Sequence, residues 1–171
     1  MSYQFRKAEI SEKQLIWDIL KHAIERRKQD GSNQWQDGYP NLDVIKKDIE
    51  NRVGFVLTDH GTIVGYTAIL INDEPEYENI EGTWLSHSDF VVFHRIAVSE
   101  RYVGKGLAKI IMEHIEDYAL ENKIYSIKAD TNFDNLAMLN IFEKFNYMYC
   151  GKVYFRGQPR EAYEKLLNVI R

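Results

Sequence analysis

The chain has 171 residues, of which 44% are hydrophobic and 28% are charged, and its formal net charge is −4. This balance predicts a single globular domain over residues 1–171, and it argues against a nucleic-acid partner, which would need a basic face. No apolar run approaches the roughly 20 residues of a membrane-spanning helix, and the first residues lack a secretory leader, so we expect a cytoplasmic protein without a membrane partner. The single cysteine, Cys150, has no neighbouring ligand spacing, and no metal site is expected.

The first half of the chain predicts a strand, two helices and a hairpin. Residues 5–8 favour a strand, and Ser11 with Gln14 three residues later is typical of a capping box at a helix start. Asn41 is expected to cap the second helix. Segments 55–58 and 63–71 flank a short turn and predict an antiparallel hairpin. A loop then follows that carries five carboxylates, on Asp73, Glu74, Glu76, Glu78 and Glu81.

The second half is more regular. Residues 90–98 are apolar on both faces, which predicts a central strand, and Leu107, Ile111 and Ile115 recur at helical spacing, which predicts a helix that begins near Gly104. The strand expected after this helix should lie parallel to the central one, because a strand, helix and strand form a crossover unit. The later elements are predicted as a strand over 124–130, a helix over 135–145, and a closing hairpin of 147–155 with 160–167.

The junction between the central strand and its helix predicts an anion site. The chain there runs Arg101-Tyr102-Val103-Gly104-Lys105-Gly106. The first backbone N–H groups of a helix have no intrahelical partner and lie at the positive end of the helix dipole, so they attract phosphate groups. A pyrophosphate fits such a turn. The turn lacks the Gly-Lys-Ser/Thr end of a P-loop and the third glycine of a dinucleotide fingerprint, which makes another nucleotide the weaker alternative.

These residues resemble the GCN5-related N-acetyltransferases (GNAT family). The resemblance is carried by the Arg-x-x-Gly-x-Gly order at Arg101, Gly104 and Gly106, by Asn135, and by Phe142-Glu143-Lys144 further along. It implies an α/β (α+β) fold with a mixed, mostly antiparallel central sheet, a parallel pair at its middle, and helices on both faces. It also implies transfer of an acetyl group from acetyl-CoA to a primary amine of a small molecule or peptide by direct attack.

The resemblance implies which residues bind the cofactor. The strand backbone would pair with the pantetheine amides, the turn and first helical turn would hold the pyrophosphate, and two residues of the later helix would contact the cofactor arm. The residues so assigned are Ile96, Ala97, Val98, Arg101, Tyr102, Val103, Gly104, Lys105, Gly106, Leu107, Ala108, Lys109, Asn135 and Phe142.

An alkyl ammonium must lose a proton before it can attack, since only about one part in a thousand is neutral at pH 7. His94 and Asp89 are the candidate bases, with Glu78 and Glu81 as loop alternatives. A strand N–H near Ile96 is expected to stabilise the oxyanion. Many family members have a tyrosine, thought to protonate the leaving thiolate, where this chain has Phe142.

The loss of that tyrosine leaves alternatives open. Tyr147 and Tyr149 are substitutes, or the thiolate leaves unassisted, because its pKa resembles that of a cysteine, about 8.5. A cofactor-binding module without transfer activity is a second alternative.

The acceptor site is expected at two loops. Trp35 and Tyr39 lie in the loop of residues 34–40, and the acidic loop of residues 73–81 would border the same pocket, because aromatic rings and carboxylates suit a cation. The acceptor itself is not identified by the sequence. A homodimer is left open.

Overall fold

The computed structural model describes residues 2–168, which form eight strands and four α-helices. In chain order the elements are β1 (Tyr3–Lys7), α1 (Lys13–Gln29), α2 (Leu42–Glu50), β2 (Gly54–Asp59), β3 (Thr62–Ile71), β4 (Glu81–Gly82), β5 (Val91–Val98), α3 (Leu107–Glu121), β6 (Ser126–Thr131), α4 (Leu136–Lys144), β7 (Met148–Phe155) and β8 (Gln158–Leu166).

The strands are hydrogen-bonded in the order β1-β2-β3-β5-β6-β8-β7-β4. Most neighbouring strands are antiparallel, whereas β5 and β6 form a parallel pair through Val91–Ile127 and Val92–Lys128. The predicted fold class is therefore confirmed.

The chain divides into two compact units. The first unit contains residues up to Ile69 together with His94–Ile115, and the second contains Leu70–Phe93 together with the residues from Glu116 onward. Strand β5 and helix α3 each begin in one unit and end in the other. The expectation of one domain over residues 1–171 stays a prediction.

The start of α1 differs from the prediction. A 3-10 turn over Ile10–Glu12 precedes the helix, and the backbone N–H of Glu9 donates to Oε2 of Glu12 at 2.8 Å. The capping interaction therefore uses Glu12 rather than the predicted Ser11 and Gln14. At α2 the prediction is confirmed, because Oδ1 of Asn41 accepts from the N–H of Val44 at 3.0 Å.

Each unit has its own apolar core. In the first unit the inner faces of α1 and α2 pack with strand residues, including Ile16, Leu20, Ile45 and Val56, all of which are fully buried. In the second unit the buried residues Tyr77, Trp84, Val92, Cys150, Val153 and Ala162 form a cluster. The predicted antiparallel hairpins are confirmed, β2 with β3 and β7 with β8, and each pair contains one register shift.

The segment between β3 and β5 is more ordered than the loop predicted from its charges. It contains a 3-10 turn over Pro75–Asn79 and the short strand β4, which pairs with β7. Tyr77 in this turn is 2% exposed, and its hydroxyl donates to Oδ2 of Asp130 at 2.6 Å. Burial of one aromatic ring thus anchors a segment whose composition alone is typical of a solvated loop.

Across residues 2–168, each helix is either too short or too polar to cross a membrane. Within the same residues, no group of three or more histidine, cysteine, aspartate or glutamate side chains is arranged to hold a metal ion.

Candidate functional site

The glycine turn in the first unit is open, and α3 begins behind it. Gly104 and Gly106 both adopt φ of 79°, and no heavy atom lies within 4 Å of the place where a Cβ would be on either residue. A backbone in this left-handed region favours glycine. Helix α3 begins at Leu107, later than the predicted start near Gly104, because the chain first makes a 3-10 turn over Glu100–Tyr102 and then the glycine turn.

The first hydrogen bond of α3 runs from the N–H of Ile110 to the carbonyl of Gly106 at 3.3 Å. The N–H groups of Leu107, Ala108 and Lys109 precede this bond, so they lie at the open, positive end of the helix. Such a terminus, in front of a turn without side chains, has the donors and the space that a phosphate group requires.

Cationic side chains surround this turn. Arg101, Lys105 and Lys109 are all exposed. The Nζ of Lys105 lies 5.0 Å from the ring centroid of Tyr102, whose hydroxyl donates to Oδ2 of Asp59 at 3.1 Å. Exposed cations near an open helix start add a favourable field for an anion, although each one alone contributes little.

Strand β5 leads into this turn and contains an irregularity that the sequence does not reveal. Arg95 adopts φ of 58°, a left-handed backbone within an otherwise extended strand. Beyond it, Ile96 and Ala97 are buried, and the carbonyl of Val98 accepts from Nη2 of Arg26 on α1 at 3.0 Å. Before it, the carbonyl of His94 accepts from Oγ1 of Thr67 at 3.0 Å.

A buried polar cluster fixes the backbone at Arg95. Its Nε and Nη2 atoms donate to the two carboxylate oxygens of Asp48 on α2 at 3.0 and 2.7 Å, and both side chains are 8% exposed. The Tyr66 hydroxyl donates to the same carboxylate at 2.6 Å. Burial lowers the pKa of Arg95, but Tyr39 and Asp48 outweigh that effect and raise it above its usual value. A two-point ion pair of this kind holds the arginine in one orientation.

The two residues of the first unit that were predicted to bind the acceptor have different surroundings. Tyr39 belongs to the polar cluster, since its hydroxyl accepts from Nη1 of Arg95 at 2.5 Å. Trp35 is 9% exposed and lies under the guanidinium of Arg27, at 5.8 Å from the ring centroid. Their role in acceptor binding stays a prediction, and Tyr39 is connected to β5 through Arg95.

Two predicted cofactor residues belong to the second unit. Asn135 is 4% exposed and caps α4, because its Oδ1 accepts from the N–H of Met138 at 3.2 Å. Phe142 is fully buried, and its ring lies 4.6 Å from that of Tyr163 and 5.3 Å from that of Tyr147. Phe142 therefore fills an aromatic core, and cofactor contact by either residue stays a prediction.

The two substitute tyrosines have different surroundings. The hydroxyl of Tyr147 is buried and has no hydrogen-bond partner among residues 2–168. Burial raises the pKa of Tyr147 well above its usual value. Tyr149 is 53% exposed, and burial of its hydroxyl together with a hydrogen bond to Glu161 raises its pKa to about 12. A raised pKa makes either tyrosine a weaker proton donor at neutral pH.

Of the two candidate bases, His94 is half-buried on β5 directly before Arg95. Asp89 is exposed and accepts from Nδ2 of Asn72 at 3.0 Å. The Oδ1 of the same asparagine accepts from the N–H of Phe90 at 2.9 Å. Asn72 therefore binds both Asp89 and Phe90, the two residues directly before β5. The geometry gives Asp89 a structural role, and the roles of His94 and Asp89 in proton transfer stay predictions.

A pocket of about 460 Å³ lies in the second unit, over β6 and the segment between β3 and β5. Its acidic wall comes from Asp73, Glu74 and Glu78. Its aromatic wall contains Tyr77, Trp84 and Phe90, and Lys128 of β6 also lines it. The predicted acidic loop borders this pocket, but none of the residues that line it comes from the loop of residues 34–40, which was expected to share it. The pocket also contains Lys128, which no sequence pattern singled out.

Glu164 binds the backbone next to Trp84, which lines this pocket. It is fully buried, and its carboxylate accepts from the N–H groups of Leu85 and Ser86 at 2.5 and 3.3 Å and from the hydroxyls of Ser86 and Ser126, each at 2.6 Å. Cys150 is packed in the same core, where burial, followed by the Glu164 charge, raises the pKa of its thiol.

Replacing Glu164 by glutamine is expected to lower the free energy of unfolding by about 2 kcal/mol. The amide nitrogen of glutamine cannot accept from a backbone N–H, so one of the donors that now faces the carboxylate would be left buried without an acceptor. Urea denaturation measures the change. Glu143→Gln on the exposed face of α4 is the matched control and should shift stability by no more than about 0.5 kcal/mol. Equal effects of the two substitutions would contradict the role given to Glu164.

The fold is thus a mixed α/β sheet in which an open glycine turn at a helix start follows a central strand with a left-handed residue. The sequence model of the acetyltransferase (GNAT) family matches residues 14–147, and the chain belongs to this family. The match covers both the glycine turn and all of α4.

Individual relatives agree with this assignment. A crystal structure of a GNAT-family acetyltransferase from Streptococcus agalactiae 2603 is 34% identical, with a TM-score of 0.89 over 98% of this chain and 96% of that chain. The uncharacterized N-acetyltransferase YesJ of Bacillus subtilis (strain 168) is 24% identical over 138 residues, which is 80% of this chain and 76% of that protein. The structure of yncA from Salmonella typhimurium "with its cofactor Acetyl-CoA" shares the fold at 15% identity, with a TM-score of 0.69 over 100% and 97% of the two chains.

Proposed function

We propose that the protein is an N-acetyltransferase that moves an acetyl group from acetyl-CoA to the primary amine of a small molecule or peptide. The observation that carries this proposal is the open turn at Gly104 and Gly106 before the start of α3, whose first N–H groups have no partner within the helix. The residues present fit the cofactor, because space, backbone donors and nearby cations all occur where a pyrophosphate would need them. When bound, acetyl-CoA supplies the activated thioester.

Residues of this chain would bind the cofactor and stabilise the oxyanion. The turn and the start of α3 would hold the pyrophosphate, and the backbone of Ile96, Ala97 and Val98 would pair with the pantetheine arm as an added strand does. A backbone N–H near Ile96 would donate to the oxyanion during attack. The polar cluster of Asp48 and Arg95 keeps this part of β5 in one conformation, which preorganises the donor.

His94 is proposed to take the proton from the acceptor ammonium, directly or through water. Neither substitute tyrosine suits the role of acid for the leaving thiolate, because Tyr147 is enclosed and the pKa of Tyr149 is raised to about 12, while Phe142 has no proton to give. We infer that the thiolate leaves without a protein acid, which is compatible with a thiol pKa of about 8.5.

A combined binding and product experiment tests the proposal. Calorimetry with acetyl-CoA should detect binding, whereas ATP and NAD should give no heat. Incubation with a broad panel of amines, ethanolamine and butylamine included, should release thiol and yield an acetylated amine detectable by mass spectrometry. Absence of heat with acetyl-CoA would overturn the proposal, and binding without product from any amine would instead identify a cofactor-binding module.

A further inference from the structure

Lys128 is a buried cation on the floor of the second-unit pocket. The residue is 4% exposed, although it lies on β6 between Ile127 and Ala129 and its side chain is charged. Its Nζ lies 4.5 Å from the ring centroid of Trp84 and 4.3 Å from that of Phe90. Lysine is rarely this buried unless it is paired, so its environment points to a function.

The lysine has aromatic neighbours but no anionic partner. The backbone of Lys128 pairs within the sheet, but among residues 2–168 its Nζ forms no hydrogen bond or ion pair and faces the two aromatic rings. Glu164 is its register neighbour on β8, but that carboxylate is occupied by the donors described above. Burial lowers the pKa of Lys128, and the Glu164 charge opposes this by raising it.

The lysine also changes which ligand the pocket suits. The aromatic wall of Tyr77, Trp84 and Phe90 is of the kind that binds an ammonium group, but Lys128 already occupies it. A second cation is therefore disfavoured at the floor, and an anionic group is favoured there. At the rim a cationic group is favoured, because Asp73, Glu74 and Glu78 present carboxylates.

The walls of the pocket are preformed. Tyr77 is tied to Asp130, and Nε1 of Trp84 donates to the carbonyl of Tyr77 at 2.9 Å. Glu164 binds the backbone directly after Trp84. The aromatic wall next to Lys128 is thus held in place by hydrogen bonds.

We propose that this pocket binds the acceptor as a small zwitterion, an amino acid or short peptide, whose carboxylate pairs with Lys128 and whose ammonium group is attracted by the acidic rim. The proposal rests on the proposed acetyltransferase function and names its acceptor class. A dianion such as free phosphate is disfavoured by the three rim carboxylates. A zwitterion carries no net charge, and its two charges are complementary to Lys128 at the floor and to the carboxylates at the rim.

Equilibrium binding without acetyl-CoA tests the pocket itself. The probes are L-serine, L-leucine, L-phenylalanine, L-lysine and L-glutamate, each as the free amino acid, as its carboxamide and as its N-acetyl derivative. At least one free amino acid should bind, and its carboxamide and its N-acetyl form should each bind about tenfold more weakly. This comparison uses the unaltered protein and does not depend on the folding of a variant.

The substitution Lys128→Met then isolates the lysine, because methionine keeps an unbranched apolar stem between the two rings. Affinity for the free amino acid should fall about tenfold, while affinity for the carboxamide should stay the same. Lys144→Met, an exposed lysine on α4, is the matched control and should change neither. Failure of every free amino acid to bind, or equal affinities of wild type and Lys128→Met, would overturn the proposal.

Transfer assays separate this proposal from the proposed function. Acetylation of the amino acid that binds, with KM raised in Lys128→Met and unchanged for butylamine, supports the assignment. Efficient acetylation of butylamine together with no acetylation of any bound amino acid would overturn it while leaving the enzyme an acetyltransferase. Absence of acetyl-CoA binding would overturn the proposed function, and the amino-acid titration would still report on the pocket.

Discussion

Replacing Asp48 by asparagine is expected to lower the free energy of unfolding by about 3–5 kcal/mol. The substitution leaves the guanidinium of Arg95 buried without its counter-charge, and loss of one partner from a buried ion pair is among the costliest single changes. The amide also presents a donor where the Tyr66 hydroxyl and two guanidinium N–H groups now donate. Denaturant unfolding measures the loss.

Glu50→Gln is the matched control for this prediction. Glu50 lies at the end of the same helix, is exposed, and pairs with Lys46 in an i,i+4 arrangement at 3.9 Å. Its neutralisation should cost about 0.3–0.5 kcal/mol. A loss below about 1 kcal/mol for Asp48→Asn would contradict the view that this carboxylate compensates Arg95.

Replacing Gly106 by valine is expected to weaken acetyl-CoA binding by about 100-fold, or about 2.7 kcal/mol. The valine side chain would stand where no heavy atom now lies within 4 Å, in front of the N–H groups that start α3. A β-branched residue at φ of 79° also strains the turn, at a cost of about 1–3 kcal/mol in stability. Calorimetry measures the affinity, and thermal unfolding measures the strain.

Gly157→Val separates these two effects. Gly157 has φ of 77° and equally open surroundings, but it lies in the turn between β7 and β8. The same backbone strain should appear there as a lower Tm with unchanged affinity for acetyl-CoA. If both valine variants bind acetyl-CoA like the wild type, the glycine turn does not hold the cofactor.

Features set by neighbouring residues could be predicted from the sequence. Asn41 caps α2, the hairpins follow from alternating segments around short turns, and the glycine turn follows from Gly104 and Gly106 before an amphipathic helix. In each case the controlling interactions join residues a few positions apart. The start of α3 was placed too early because the 3-10 turn over Glu100–Tyr102 has no distinctive pattern of its own.

Features that depend on distant contacts could not be predicted. A charged Arg95 inside an apolar strand does signal a buried partner, but nothing local identifies Asp48, which lies 47 positions earlier. Lys128 alternates with Ile127 and Ala129, a pattern typical of a strand with one solvated face. That face is covered by the aromatic residues of the segment before β5, and only the tertiary structure brings Trp84 and Phe90 over the lysine.

The enclosed thiol of Cys150 would make the proposed transfer reaction easy to follow by sulfhydryl titration. It is the protein's sole cysteine, and a protonated, shielded sulfur reacts slowly with aromatic disulfide reagents. The colour that such a reagent develops should therefore come almost entirely from coenzyme liberated during turnover, with little background from the folded enzyme.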